Sequence, residues 1–152
     1  MFHVKHRMCG DYMNDIFFNI ALDLAKKAYN DNEIPVGCVI VKNNEIIACG
    51  YNCKESKKDS TMHAEIVAIR EACMKLGDWR LDDCIIYVTL KPCLMCIGAI
   101  VESRIKTVYY GTKVNSKQMY DNNKINKFVD MINLNSKEAA KLMSDFFKNK
   151  RK

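Results

Sequence analysis

Two short stretches, far apart in the chain, carry residue types that can do chemistry: His63-Ala64-Glu65 and Pro92-Cys93-Leu94-Met95-Cys96. Together they supply one imidazole, two thiols and one carboxylate. Zinc takes nitrogen and sulfur ligands tetrahedrally, and a hydrolytic zinc site uses three protein ligands while leaving the fourth position to water. His63, Cys93 and Cys96 are the candidate ligands, so one Zn2+ per chain is the expected cofactor. Glu65 is then free to move protons, because a metal lowers the pKa of a bound water from about 15.7 towards about 7 and a neighbouring carboxylate can take the proton.

Each half also has a plainer reading. Taken alone, Cys93-x-x-Cys96 is as readily a redox or structural pair as a pair of metal ligands, and a single histidine is usually a surface or structural residue. The two halves together favour the metal. His63-Ala64-Glu65 and Cys93-x-x-Cys96 each open an expected helix, so two helix N-termini can converge on one point. The positive end of a helix lowers thiol pKa values and favours the thiolates that zinc requires.

The elements that must position these groups can be read from periodicity. Ile16, Phe17, Ile20, Leu24 and Ala28 recur at helical spacing and predict a helix over 14–29, with Asn14 or Asp15 available to cap it. The β-branched run 38–41, the Asn43-Asn44 turn and a second strand over 45–50 predict a hairpin. A polar loop over 53–61 leads to a helix that starts at His63 and stops at Gly77. A strand over 84–90, the nearly all-apolar helix 93–101 and a strand over 105–110 form a βαβ unit, which demands parallel strands. A helix apolar all round is buried, within the domain or at a subunit interface. Residues 112–126 are polar and carry no assignment, 127–132 is a candidate fifth strand, and 137–148 is a helix with Ala140, Leu142, Met143, Phe146 and Phe147 as its apolar residues. The expected class is α/β: a mixed five-stranded sheet with an antiparallel hairpin at one end and helices on both faces.

Composition narrows the setting. A chain of 152 residues, 49% hydrophobic and 28% charged, suits one globular domain with a substantial core. That domain is expected over 14–152, preceded by a disordered extension over 1–13, with Met13 as an alternative start and His3 and His6 excluded from the metal set. No secretory hydrophobic region precedes the eight cysteines, so a reducing, cytoplasmic setting is expected rather than a disulfide framework. Cys38, Cys49, Cys73 and Cys84 read as small core residues, whereas Cys9 and Cys53 carry no signal. The longest apolar run has nine residues, far short of the ~20 that cross a bilayer, so no membrane role is expected. The net charge of +6 is concentrated at the end of the chain, where 137–152 holds six basic and two acidic residues. Such an end is often only a solvated face, but beside a base-modifying metal site it suits nucleic acid. Lys148, Lys150, Arg151 and Lys152 are the candidate phosphate contacts.

The joint H-x-E and P-C-x-x-C pattern is that of zinc deaminases acting on cytosine or adenine. Further stretches narrow the likeness: Ile34-Pro35-Val36-Gly37, Gly50-Tyr51-Asn52, Trp79-Arg80-Leu81, Tyr87-Val88-Thr89-Leu90, Ser103-Arg104-Ile105 and Leu142-Met143-Ser144-Asp145-Phe146-Phe147. On these the chain resembles the bacterial tRNA-specific adenosine deaminases, over roughly 14–111 and again from 127 onward. The resemblance implies a three-layer cytidine-deaminase-like fold, zinc on His63, Cys93 and Cys96, and Glu65 as proton shuttle. It further implies that Asn52 and Ala64 contact the target base and that the protein is a homodimer. The implied substrate is the anticodon stem-loop of an arginine tRNA, whose wobble adenosine becomes inosine. Two features depart from the pattern: Lys91 stands where an acidic residue usually precedes Pro-Cys, and 112–126 replaces a glycine-rich loop. That replacement keeps open a second reading, a zinc deaminase of a free base or nucleotide such as guanine, cytosine or deoxycytidylate. A third, a non-catalytic RNA-binding subunit, is opposed by the intact Glu65.

Overall fold

The computed structural model describes residues 9–114 and 120–150. The elements run α1 (Cys9–Asn30), β1 (Gly37–Lys42), β2 (Glu45–Tyr51), α2 (Lys54–Lys57), α3 (Ala64–Leu76), β3 (Cys84–Leu90), α4 (Leu94–Glu102), β4 (Thr107–Thr112), α5 (Asn122–Ile125), β5 (Asp130–Asn133) and α6 (Lys137–Lys150). The five strands form one sheet in the order β2-β1-β3-β4-β5. β1 pairs antiparallel with β2 and β3, whereas β3–β4 and β4–β5 are parallel. The mixed sheet and its α/β class are those expected.

The hairpin follows from its turn. Asn43 and Asn44 both take positive φ, 51° and 61°, as a two-residue type I′ connection requires, and asparagine tolerates this conformation well. Each face of the sheet is covered. Val39, Val41 and Tyr87 pack with Phe17, Phe18, Ala21 and Leu22 of α1 and Ala139 of α6. Alternate residues Cys38, Ile40, Ile86 and Val88 pack on the opposite face with Ala64, Ala68 and Ala72 of α3 and Ile97 and Ile100 of α4.

Helix α1 differs from expectation at its start and in its buried face. Of the extension expected over 1–13, residues 1–8 lie outside the described residues, and from Cys9 the chain is helical, with Asp11 favourably placed in the first turn. Core contact begins at Met13, where apolar periodicity also begins. The buried face is Phe17, Phe18, Ala21, Leu22, Ala25 and Ala28, while Ile16 is exposed. Close approach to β1 selects the alanines: a Cβ on Gly37 would collide with the Ala21 carbonyl and lie 2.6 Å from the Ala25 amide nitrogen. In α6 the same correction applies. Ala139, Met143 and Phe146 are buried at i, i+4, i+7 spacing, and Phe147 is exposed.

Smaller differences follow from local chemistry. The polar loop 53–61 contains the short helix α2, and the unassigned segment contains α5, capped by Asp121, whose side chain accepts from the Asn123 amide at 2.9 Å. The last two strands start later than the hydropathy suggests, at Thr107 and Asp130. Cys38 and Cys84 are buried as expected, but Cys49, on the edge strand β2, and Cys73 are only half-buried. Among the described residues no helix is long and apolar enough to cross a membrane.

Candidate active site

His63 and Cys93 are the N-cap residues of α3 and α4, both with extended backbone and neither capping its helix through the side chain. Cys96 lies in the first turn of α4. Both helix N-termini therefore meet at the cluster, as the sequence leads one to expect. His63 Nδ1 is 3.6 Å from Cys93 Sγ and 3.6 Å from Cys96 Sγ, and the three donor atoms lie within 4.8 Å of one another. Zn–S and Zn–N bonds of about 2.3 and 2.0 Å at a tetrahedral angle place nitrogen and sulfur about 3.5 Å apart. The donor set and its spacing thus fit zinc, and three ligands leave one position open.

The two thiols of the cluster are shifted in opposite directions. The Cys93 thiol falls to about 4, chiefly because it accepts a hydrogen bond from Cys96 and further because His63 lies beside it. Cys96 is correspondingly pushed up, by that same hydrogen bond and by burial. His63 is raised, mainly by its hydrogen bond to Cys93. Zinc takes both cysteines as thiolates, so binding a divalent cation would displace the proton that Cys96 retains.

Glu65 follows in the first turn of α3 and is buried at 3% exposure. Burial raises its pKa to about 7, partly offset by a hydrogen bond from its own backbone amide. A carboxylic acid that gains and loses its proton near neutrality suits general acid–base work. Helix α3 is seated by Gly50 of β2, which lies against the α3 backbone.

A cavity of about 220 Å³ opens on these groups, lined by Ile34, Val36, Asn52, His63, Ala64 and Glu65 on one side and by Leu90, Lys91 and Cys93 on the other, with Lys54 beside Asn52. It is below the size range of pockets for drug-sized ligands and suits a single flat base. Asn52 Nδ2 donates to the Ile34 carbonyl at 3.2 Å and its Oδ1 accepts from the Lys54 amide at 3.3 Å. An amide side chain has two donors and two acceptor sites, so one of each remains for a ligand. Ala64 is fully buried at the start of α3, where first-turn amides have no partner within the helix.

Of the basic tail, Lys148 is exposed on α6, Lys150 closes that helix, and Arg151 and Lys152 lie outside the described residues. Sequence reasoning did not find Glu33. It is 1% exposed, and its two carboxylate oxygens accept from the Glu55 and Ser56 amides, each at 2.8 Å, fixing the turn that carries Asn52 and Lys54. The available signal was an acidic residue set against the apolar Ile34-Pro35-Val36 run.

Fold and cluster define the class of zinc-dependent deaminases: residues 13–112 match the model of the cytidine and deoxycytidylate deaminase zinc-binding region. Within that class the chain belongs to the family of the tRNA-specific adenosine deaminases. It is 41% identical to the tRNA-specific adenosine deaminase of Aquifex aeolicus, with 90% of this chain and 95% of that protein covered. A structure solved in a study of A-to-I editing by tRNA:A34 deaminases at the wobble position of transfer RNA superposes with TM-score 0.77 and 34% identity, covering 84% of this chain and 99% of that one. A guanine deaminase structure from Bacillus subtilis is 46% identical with TM-score 0.62, covering 65% of this chain and 64% of that one.

Proposed function

We propose that the protein converts adenosine to inosine by hydrolysis at the wobble position of a tRNA, an arginine tRNA on the resemblance seen in the sequence. The reading is carried by the extent of the likeness. Two tRNA-specific adenosine deaminases are 40–41% identical over 89–90% of this chain, whereas a guanine deaminase that covers 86% is 19% identical and the one that is 46% identical covers 65%. An exposed cation at the cavity, Lys54, gives further support, because a target nucleotide inside RNA brings phosphates that a free base lacks.

His63, Cys93 and Cys96 hold one zinc, and the ion supplies the Lewis acidity that makes a water nucleophilic near neutral pH. Forming the C–O bond to water at the amino-bearing carbon and breaking the C–N bond to release ammonia moves both protons of that water, one to the purine ring nitrogen and one to the departing amine. Among the described lining residues Glu65 is the only carboxylic acid, and its place beside the cluster lets it take a proton from the water and give it up in turn. Asn52 and the Ala64 backbone orient the base. A wobble base in an anticodon loop can be splayed out, so little of the penalty of opening a duplex applies. Lys148, Lys150, Arg151 and Lys152 contact phosphates of the stem-loop.

The working unit is a homodimer. The nearly all-apolar helix α4 buries Cys96, Ile97 and Ile100 but leaves Leu94 and Met95 exposed, a surface suited to a second copy. The experiment that tests the reading is measurement of inosine in an arginine tRNA anticodon stem-loop incubated with purified protein, with free guanine in parallel. Deamination of guanine alone would overturn it.

A further inference from the structure

The two places where the sequence departs from the deaminase pattern, Lys91 and the segment 112–126, meet in the structure. Lys91 directly follows β3, lines the base cavity and is buried at 8% exposure. Its Nζ donates to Asn122 Oδ1 of α5 at 2.6 Å. The same ammonium sits 5.7 Å from the Tyr110 ring centroid and 5.5 Å from that of Tyr120, within the range of cation–π attraction. One residue on, the Pro92 carbonyl accepts from the Tyr120 hydroxyl at 2.7 Å. The corner that delivers Cys93 is thus tied twice to the chain at and just before the start of α5, by the Lys91 side chain to Asn122 and by the Pro92 backbone to Tyr120.

We infer that Lys91 is a positioning residue whose stem forms a fixed wall of the base cavity because Asn122, Tyr110 and Tyr120 hold its ammonium in place. A free lysine has several rotatable bonds, and its stem would give the cavity no constant shape. Held at its head by a charge-assisted hydrogen bond and two aromatic faces, it does. Lysine at 91 and asparagine at 122 therefore act as one device, and the wall they build orders the base for attack. That role in substrate binding rests on the cavity taking the base, as proposed above; the clamp itself does not.

The test compares zinc-loaded full-length protein with Lys91→Met, Asn122→Ala, the double variant and Asn122→Asp. Methionine keeps the apolar stem and removes the donor, alanine removes the acceptor, and aspartate strengthens the bond. Hydrogen exchange at the 120–126 amides is expected to rise roughly tenfold in Lys91→Met and Asn122→Ala, the fold-change that loss of a hydrogen bond to a charged group brings. It is expected to fall in Asn122→Asp. KM, for whichever of the stem-loop and free guanine the unmodified protein turns over, should rise more than kcat falls, and the double variant should be no worse than either single one. Unchanged exchange in both single variants, or KM effects that multiply in the double one, overturns the inference. If the unmodified protein turned over neither substrate, the proposed function would fall, and the exchange comparison would decide the clamp by itself.

Discussion

Gly50 of β2 and Ala64 of α3 meet with no room between them: a Cβ on Gly50 would collide with the Ala64 carbonyl, come within 2.8 Å of the Ala68 amide nitrogen and within 3.0 Å of Val67 Cβ. Two of these three obstacles are helix backbone, so no side-chain rotation relieves them. Helix α3 presents His63 and Glu65 from its first turn, and its seat on β2 sets where both groups stand. Gly50→Ala should therefore destabilise the fold by about 1–3 kcal/mol, the usual effect of overpacking. For a chain of this size that lowers Tm by roughly 2–4 °C per kcal/mol. Thermal unfolding together with zinc content checks it; an unchanged Tm would show that α3 can retreat from the sheet.

The metal gives a second expectation. Purified protein should carry about one zinc per chain, and Cys93→Ala or Cys96→Ala should remove it. Each variant leaves two of three donors, and the open position cannot compensate. Because the ion binds the folded state, chelation should also lower Tm, with recovery on adding zinc back. Zinc-free protein in which Cys93 and Cys96 cycle through a reversible disulfide would return the pair to its redox reading.

Glu65 separates chemistry from binding. Glu65→Gln preserves the shape of a buried side chain and removes its proton exchange, so zinc content and Tm should stay close to those of the unmodified chain. Turnover should drop by about 10²–10⁴, the range assigned to a lost general acid–base group. A variant that came out without zinc would make Glu65 a structural partner of the cluster instead.

How far the sequence disclosed all this depends on the kind of interaction. Local signals were decisive: Asn43-Asn44 demanded a tight hairpin, and strand–helix–strand around Cys93-x-x-Cys96 demanded the parallel β3–β4 pair that the sheet contains. The ligand triad was legible because zinc constrains residue type as well as spacing. The buried face of α1 was misjudged, since hydropathy favours Ile16 and Ile20, whereas close approach to Gly37 favours Ala21 and Ala25. Glu33 and the Lys91–Asn122 pair leave no periodic trace. Their partners are distant in the chain, and only the folded arrangement brings Glu33 to the Glu55 and Ser56 amides or Lys91 to α5.

The basic end of the chain provides the test that separates RNA from a free base. Deleting 148–152 removes four positive charges, Lys148, Lys150, Arg151 and Lys152. Neutralising phosphates releases counterions, so for a stem-loop substrate the deletion should weaken binding and flatten the dependence of log K on log salt by up to about 0.7–0.9 for each phosphate left without its cation. A small neutral base inside the cavity gains little from distant, screened charges, and its turnover should barely respond. The comparison is deamination of an anticodon stem-loop and of free guanine, at low and high salt, with intact and truncated protein. Lys148 lies on the exposed side of α6, and the truncation removes the exposed Asn149–Tyr29 hydrogen bond but spares the buried stripe of Ala139, Met143 and Phe146, so the fold should survive it. A stem-loop KM that rises on truncation and converges with that of the intact chain at high salt is the expected outcome. Equal KM values at low salt would remove the tail from the RNA surface.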